Sequence, residues 1–278
     1  MAPGEPHFFG SDIAFPNKAS SEKDYLDLFS KASNEKWVGE KSTWYLYSRV
    51  AAEEIKNYNR DSRILIQIRN PVDMVYSLHR HLLNNSLDTR ETISSFEQAL
   101  NAQEDRMNAL KKAYSEGNKQ FMEPFLYTRV PLYTEQIKRY VDCFGWGRVH
   151  VVVYDDFKLN TLETYKKVLQ FLNVDDGFQP AFTVYNKVKG QKSVLFQKIM
   201  RKISPQADRA DFFFPRFLMP YLKRARAQLI EWNTILIPQQ PMKPHVRKRL
   251  QMEFADEVDK LSNLLNRDLT YWIKEARA

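Results

Sequence analysis

A chain of 278 residues, 43% hydrophobic and 27% charged, can bury a real core and has room for one large α/β domain or two small ones. Its formal net charge of +8 favours an anionic ligand or polymer, while the single cysteine, Cys143, excludes an internal disulfide framework and any multi-cysteine metal site. No apolar run reaches the length of a membrane span, and M-A-P-G-E-P-H-F-F lacks the basic-then-apolar order of a signal peptide, so a soluble cytoplasmic protein is expected.

The chain opens on chemistry. Glu5 and His7 are followed by Phe8 and Phe9, which need burial. Two readings stay open: a terminus tacked down by its aromatics, or a general base, Glu5, held at a cleft wall. Residues 21–33 read as a helix with Tyr25, Leu28 and Phe29 on one face. Residues 37–39 then suggest a short strand, and Ser42 or Thr43 the cap of a helix reaching Tyr58 with Tyr45, Val50, Ala51 and Ile55 as its stripe. Lys41 would stand at that strand-to-helix junction.

Residues 63–83 are the most informative stretch. Ile64, Leu65, Ile66 and Ile68 form a run typical of a strand buried on both faces. Asn70 suits a helix cap and Pro71 a first turn, with Val72, Val75, Tyr76, His79 and Leu83 at helical spacing beyond. Arg69 thus falls at the carboxyl end of a strand, directly before a helix N-terminus. Ligands bind at such edges in open α/β sheets, and helix N-termini favour anions. Ser77, two turns on, would add a hydroxyl. An ordinary corner whose arginine pairs with an acid is the other reading, and Lys41 at a similar junction strengthens the anion site.

Further along, residues 94–114 suggest one amphipathic helix covering a cleft, and Val130, Tyr133, Ile137 and Val141 mark a helix that Gly145 and Gly147 end. Residues 148–154 make a second buried strand, closed by Asp155 and Asp156, and 162–172 a further helix. Two acids after a strand suggest magnesium, but no G-x-x-x-x-G-K-[ST] loop accompanies them, which favours helix capping. Residues 185–193 form the most basic loop. There Gly190 would let backbone amides approach an anion, and Lys187, Lys189 and Lys192 supply charge, unless the loop is simply solvated. The stretch around Phe212, Pro215 and Pro220 has no clear assignment, and a last helix spans about 245–265. No repeat or linker divides the chain, so a single domain over residues 1–278 is the simplest parse.

In this order the pieces resemble the sulfotransferases that use 3′-phosphoadenosine 5′-phosphosulfate (PAPS), closest to the bacterial and heparan-sulfate-type branch. I-R-N-P-V-D-M-V-Y-S is similar to that family's 3′-phosphate-binding strand and helix, which implies that Arg69 and Ser77 hold the donor's 3′-phosphate. E-P-H-F-F resembles the segment carrying the proposed catalytic base, here Glu5 with His7 in reserve; E-K-S-T-W-Y resembles the one carrying the active-site lysine, here Lys41. N-K-V-K-G-Q-K resembles the loop that closes over the donor, implicating Lys189 and Gly190, and R-D-L-T-Y-W resembles the C-terminal helix. The resemblance implies a P-loop-type sulfotransferase fold, α/β, with a central mostly parallel sheet flanked by helices.

It also implies sulfuryl transfer from PAPS to a hydroxyl or amine of a carbohydrate or small-molecule acceptor, without a metal. Residues 87–120 and 202–237 would include the acceptor-selecting loops. Gly4 stands where the family often has lysine, and P-K-x-G-T-[ST], the family's 5′-phosphosulfate loop, has no counterpart here, nor does the strand before it. The expected fold therefore lacks its first strand, and the alternative function is a catalytically inactive module that binds a 3′-phosphonucleotide or anionic glycan. Nucleic acid is not expected as a partner, because no recognition motif accompanies the charge.

Overall fold

The computed structural model describes residues 2, 4–15, 18–84, 90–118, 120–182, 189–191, 228–229, 234–236 and 240–274. Two compact units divide the chain: Met1–Pro180 with Met242–Ala278, and Ala181–Pro241. The first holds helices α1 (Glu22–Asp27) and α2 (Ala51–Tyr58), strand β1 (Ile64–Ile68), α3 (Pro71–Asn84), α4 (Phe96–Asn101), α5 (Gln103–Ser115) and α6 (Tyr133–Phe144). Strand β2 (Val149–Val153), α7 (Tyr154–Leu159) and α8 (Thr161–Leu172) follow. In the second unit β3 (Lys189–Gln191) pairs antiparallel with β4 (Thr234–Leu236). Helices α9 (Pro244–Glu253) and α10 (Ala255–Leu265) return to the first unit. The architecture is α/β, with a small parallel sheet among many helices. Among the described residues no helix is long and apolar enough to cross a membrane.

β1 and β2 are parallel and in register from Ile64 opposite Val149 to Ile68 opposite Val153. β1 is not buried on both faces. Ile66 and Ile68 are buried with Val72, Val75, Ile137 and Val153, but Leu65 is 50% exposed and Gln67 also faces outward. The side-chain period of two separates a covered face from an uncovered one, a distinction that an apolar run does not reveal. Asn70 caps α3 as expected, its Oδ1 accepting from the Val72 amide at 2.9 Å.

Several other elements are shorter than their periodicity suggests. Residues 37–39 form no strand, because their neighbourhood is used to close α8. The Trp37 indole donates to the Leu172 carbonyl at 2.7 Å and Lys36 to that of Asn173. The Arg63 guanidinium lies 5.1 Å from the Trp37 ring and 5.4 Å from that of Phe171. In place of a helix over 42–58 there is a single 3-10 turn, Thr43–Tyr45, followed by α2. Buried Ser48 explains the break: its Oγ accepts the amides of Val50 and Ala51, and Asp12 in turn accepts from that hydroxyl and from the Arg49 amide. The helices expected over 94–114 and 245–265 each divide, at Ala102 and Phe254.

The segment after α3 is pinned by buried charge. Glu91, 2% exposed, forks with the Arg106 guanidinium at 2.9 Å through both oxygens and accepts from Tyr127 at 2.6 Å. His79, also buried, donates to the Ile93 carbonyl at 2.9 Å, and burial lowers its pKa. Arg247 on α9 pairs with Asp73 in the first turn of α3 at 2.6 Å.

Candidate functional site

Because β1 and β2 end level, Arg69 and Tyr154 leave the sheet side by side, and the Arg69 guanidinium rests 5.2 Å from the Tyr154 ring. Among the described residues no carboxylate forms an ion pair with Arg69. Within those residues the corner arginine is not neutralised by an acid. The buried Tyr133 is hydrogen-bonded to the Arg69 backbone, with burial pushing its hydroxyl pKa up. Ser77 is exposed on α3, seven residues after Asn70 and so on the same face two turns along. Among the described residues this corner presents a cation with no carboxylate partner next to the amide end of a 14-residue helix.

The second cluster is built on irregular backbone. The Glu5 Oε2 accepts from the Thr43 hydroxyl at 2.6 Å and amide at 3.2 Å, His7 Nε2 lies 3.6 Å from the same oxygen, and Lys41 Nζ is 3.4 Å from Oε1. The Glu5 carboxylate therefore gathers its near sequence neighbour His7 and the distant Lys41. Burial alone pushes Glu5 up, but the two Thr43 hydrogen bonds, Lys41 and His7 reverse this and hold it below the ordinary carboxylate value. For His7 burial wins over the attraction of Glu5 and holds the imidazole pKa below its ordinary value. Glu5 keeps 29% of its side-chain surface and Lys41 63%, so both reach solvent.

His7 adopts a φ of +48°, a conformation that costs a non-glycine residue about 1–2 kcal/mol. Its amide donates to Ser42 Oγ at 3.1 Å, and its ring stacks on Phe15 at 4.3 Å. Behind it the Phe9 amide donates to the Tyr45 hydroxyl, which donates to Glu40 at 2.8 Å. Glu40 also accepts from Ser42, and its pKa is raised, first by burial and then by neighbouring Glu5, against these hydrogen bonds. From α6, Tyr140 donates to the Tyr45 carbonyl at 2.7 Å, and Arg139 to those of Leu46 and Tyr47. Gly10 is required where it is: with φ +80°, an added Cβ would meet Phe15 at 3.1 Å.

The remaining expectations fall elsewhere. Lys189 and Gly190 lie on strand β3, opposite Leu236 and Ile235, and not in an open basic loop, because their backbone is taken up by antiparallel pairing with β4. Lys187 and Lys192, with the Phe212, Pro215 and Pro220 stretch, lie outside the described residues. Asp155 and Asp156 sit in the first turn of α7 but do not cap it. Asp155 accepts from the Trp272 indole at 2.6 Å and the Tyr271 hydroxyl at 3.0 Å, and Asp156 forks with Arg267. Thr43, Tyr154, Tyr133 and Glu40 were not legible as site residues, since each matters through a contact the sequence does not place.

A family model described as "Sulfotransferase domain" matches residues 51–213. That span includes Arg69, Ser77, Lys189 and Gly190 and starts beyond Glu5, His7 and Lys41. Among solved structures, the chain is similar to a sulfotransferase from Alicyclobacillus acidocaldarius, with a TM-score of 0.68 and 24% identity, covering 98% of this chain and 87% of that one. At that identity the likeness speaks for the fold. With more than half of its length inside the family match, the chain belongs to the sulfotransferase domain family.

Proposed function

We propose that the protein transfers a sulfuryl group from PAPS to a hydroxyl or amine of a carbohydrate or small-molecule acceptor, with Glu5 as the base. The observation that carries this reading is the single carboxylate on which His7, Lys41 and Thr43 converge. Bound PAPS supplies the sulfuryl group, which the acceptor's oxygen or nitrogen attacks as the bond to the 5′-phosphate breaks. Glu5, held ionised by Thr43 and Lys41, takes the acceptor's proton, a role typically worth about 10²–10⁴-fold. Lys41 is exposed enough to turn toward the sulfuryl oxygens and the departing phosphate, where a fixed cation stabilises developing charge. His7, beside Glu5, is the reserve base and can relay its proton.

The strand corner suits the remote end of the donor. The Arg69 guanidinium, without a carboxylate partner among the described residues, can take a phosphate bidentately; Ser77 adds a hydroxyl from α3, and Lys189 and Gly190 are assigned to the donor by resemblance. Binding energy spent there orients the reacting end. A row of rings runs from the candidate base: His7 on Phe15, Phe15 to Phe121 at 5.6 Å, and Phe121 to half-buried Trp44 at 5.3 Å. Aromatic walls with a few polar groups suit the apolar faces of sugar rings, which supports a carbohydrate acceptor.

The test is transfer of labelled sulfate from PAPS to a panel of sugars, amino sugars and phenols, with release of 3′-phosphoadenosine 5′-phosphate followed in parallel. Glu5→Gln should lower turnover by about 10²–10⁴-fold with donor affinity retained. The cation at the Arg69 corner would serve equally in a second reading, a module that binds a 3′-phosphonucleotide or anionic glycan without turnover. Donor binding with no transfer to any acceptor would select it.

A further inference from the structure

The residues that follow Arg69 and Tyr154 are joined to the same place. Asn70, one position after Arg69, donates through Nδ2 to the Trp272 carbonyl at 3.2 Å. Asp155, one position after Tyr154, accepts from the Trp272 indole N–H at 2.6 Å and from the Tyr271 hydroxyl at 3.0 Å. Trp272 is thus gripped at its backbone by the end of β1 and at its ring by the end of β2, and it is 2% exposed. Neighbouring contacts fix the same segment: Asp156 forks with Arg267, the Leu269 amide donates to Ser262 on α10, and Gln251 on α9 donates to the Lys274 carbonyl. A 117-residue and a 202-residue separation in sequence are closed at this one tryptophan.

The geometry matters because the cation–ring contact between Arg69 and Tyr154 depends on the two strand ends staying level. The β1–β2 ladder stops at Ile68 and Val153. Among the described residues no backbone pairing continues it, and Trp272 bridges the two strand ends through its carbonyl and its indole N–H.

We propose that residues 267–272 form a clasp that sets the Arg69 corner, with Asn70, Asp155 and Trp272 as positioning residues for the 3′-phosphate of a nucleotide. This rests on the reading that Arg69 binds that phosphate. Asn70 has two separable duties, since its Oδ1 caps α3 and its Nδ2 reaches Trp272. Asn70→Ser keeps a capping oxygen and removes the reach. Tyr271→Phe removes one bond from an exposed residue, and Trp272→Phe removes the indole N–H but keeps an aromatic ring.

The experiment measures, by calorimetry, the affinity ratio of 3′-phosphoadenosine 5′-phosphate to adenosine 5′-phosphate, with thermal melts confirming folding. A variant that merely loosens the fold weakens both ligands together. A displaced corner weakens only the one carrying the 3′-phosphate. We expect the ratio to fall about tenfold in Asn70→Ser and Trp272→Phe, less in Tyr271→Phe, and to collapse in Arg69→Ala. If Arg69→Ala collapses the ratio while Asn70→Ser, which retains the cap, and Tyr271→Phe both leave it intact, the clasp is refuted and the donor site stands. An unchanged ratio in Arg69→Ala refutes the donor site itself and leaves the clasp nothing to position.

Discussion

The Arg69 corner and the Glu5 cluster are built in opposite ways. At the corner, regular structure comes first: two parallel strands in register bring Arg69 and Tyr154 level, and a capped helix starts at once. Side chains of Asn70, Asp155 and Trp272 then brace the two strand ends. Around Glu5, residues 5–12 belong to no helix or strand, and their backbone is held by side chains from 40–54. The Gly10 amide, for example, donates to Glu54 at 2.6 Å. A rigid corner suits a charge that must only grip a phosphate. A carboxylate that must gain and lose a proton is better served by adjustable neighbours, because hydrogen bonds and nearby charge tune its pKa directly.

The support beneath each region can be removed separately. The largest expected effect is on the fold around α3: Glu91→Ala removes the buried carboxylate and leaves the half-buried Arg106 guanidinium without its ion-pair partner, which should cost about 3 kcal/mol in denaturant unfolding. An unaltered midpoint would mean that the segment is held by packing alone. At the Glu5 cluster, Lys41→Met should lower kcat by about 10²–10³-fold with little change in affinity for 3′-phosphoadenosine 5′-phosphate, as expected of a cation that acts on developing charge. Equal losses in both would place Lys41 in donor binding.

Smaller effects separate the two regions further. Tyr154→Leu removes the ring beneath Arg69 and should weaken the 3′-phosphate nucleotide about two- to fivefold, whereas Tyr154→Phe keeps the ring and should be neutral. If both behave alike, the ring contact is incidental. Thr43→Val removes the hydroxyl that helps hold Glu5 below its ordinary value. Since Glu5 acts as a carboxylate, kcat/KM falls as pH drops through its pKa. The acid limb in Thr43→Val should therefore move to higher pH, while Thr43→Ser leaves it in place. The same sign holds for stability: the contribution of an ionised Glu5, present above its unfolded pKa, should be lost at a higher pH in Thr43→Val as the protein is acidified.

How far each region was legible follows from its construction. Asn70, Pro71 and the spacing of Val72, Val75 and His79 are local signals, so the corner could be read from one stretch of sequence. The exposure of Leu65 could not, because a run of apolar residues does not say which face is covered. Glu5 was legible as a possible base and Lys41 as a cation at a junction, but not their meeting. Their convergence depends on Thr43 and Ser42, whose bonds close loops of about 35 residues. Asp155 illustrates the limit most clearly: local pattern suggested a cap, but its partner lies 117 residues away.

Donor recognition at Arg69 is tested most directly by calorimetric titration of wild type and Arg69→Ala with 3′-phosphoadenosine 5′-phosphate. Loss of a bidentate charged contact should weaken binding about a hundredfold in the variant. Equal affinity of the two proteins for that nucleotide would contradict the assignment of the strand corner to the donor.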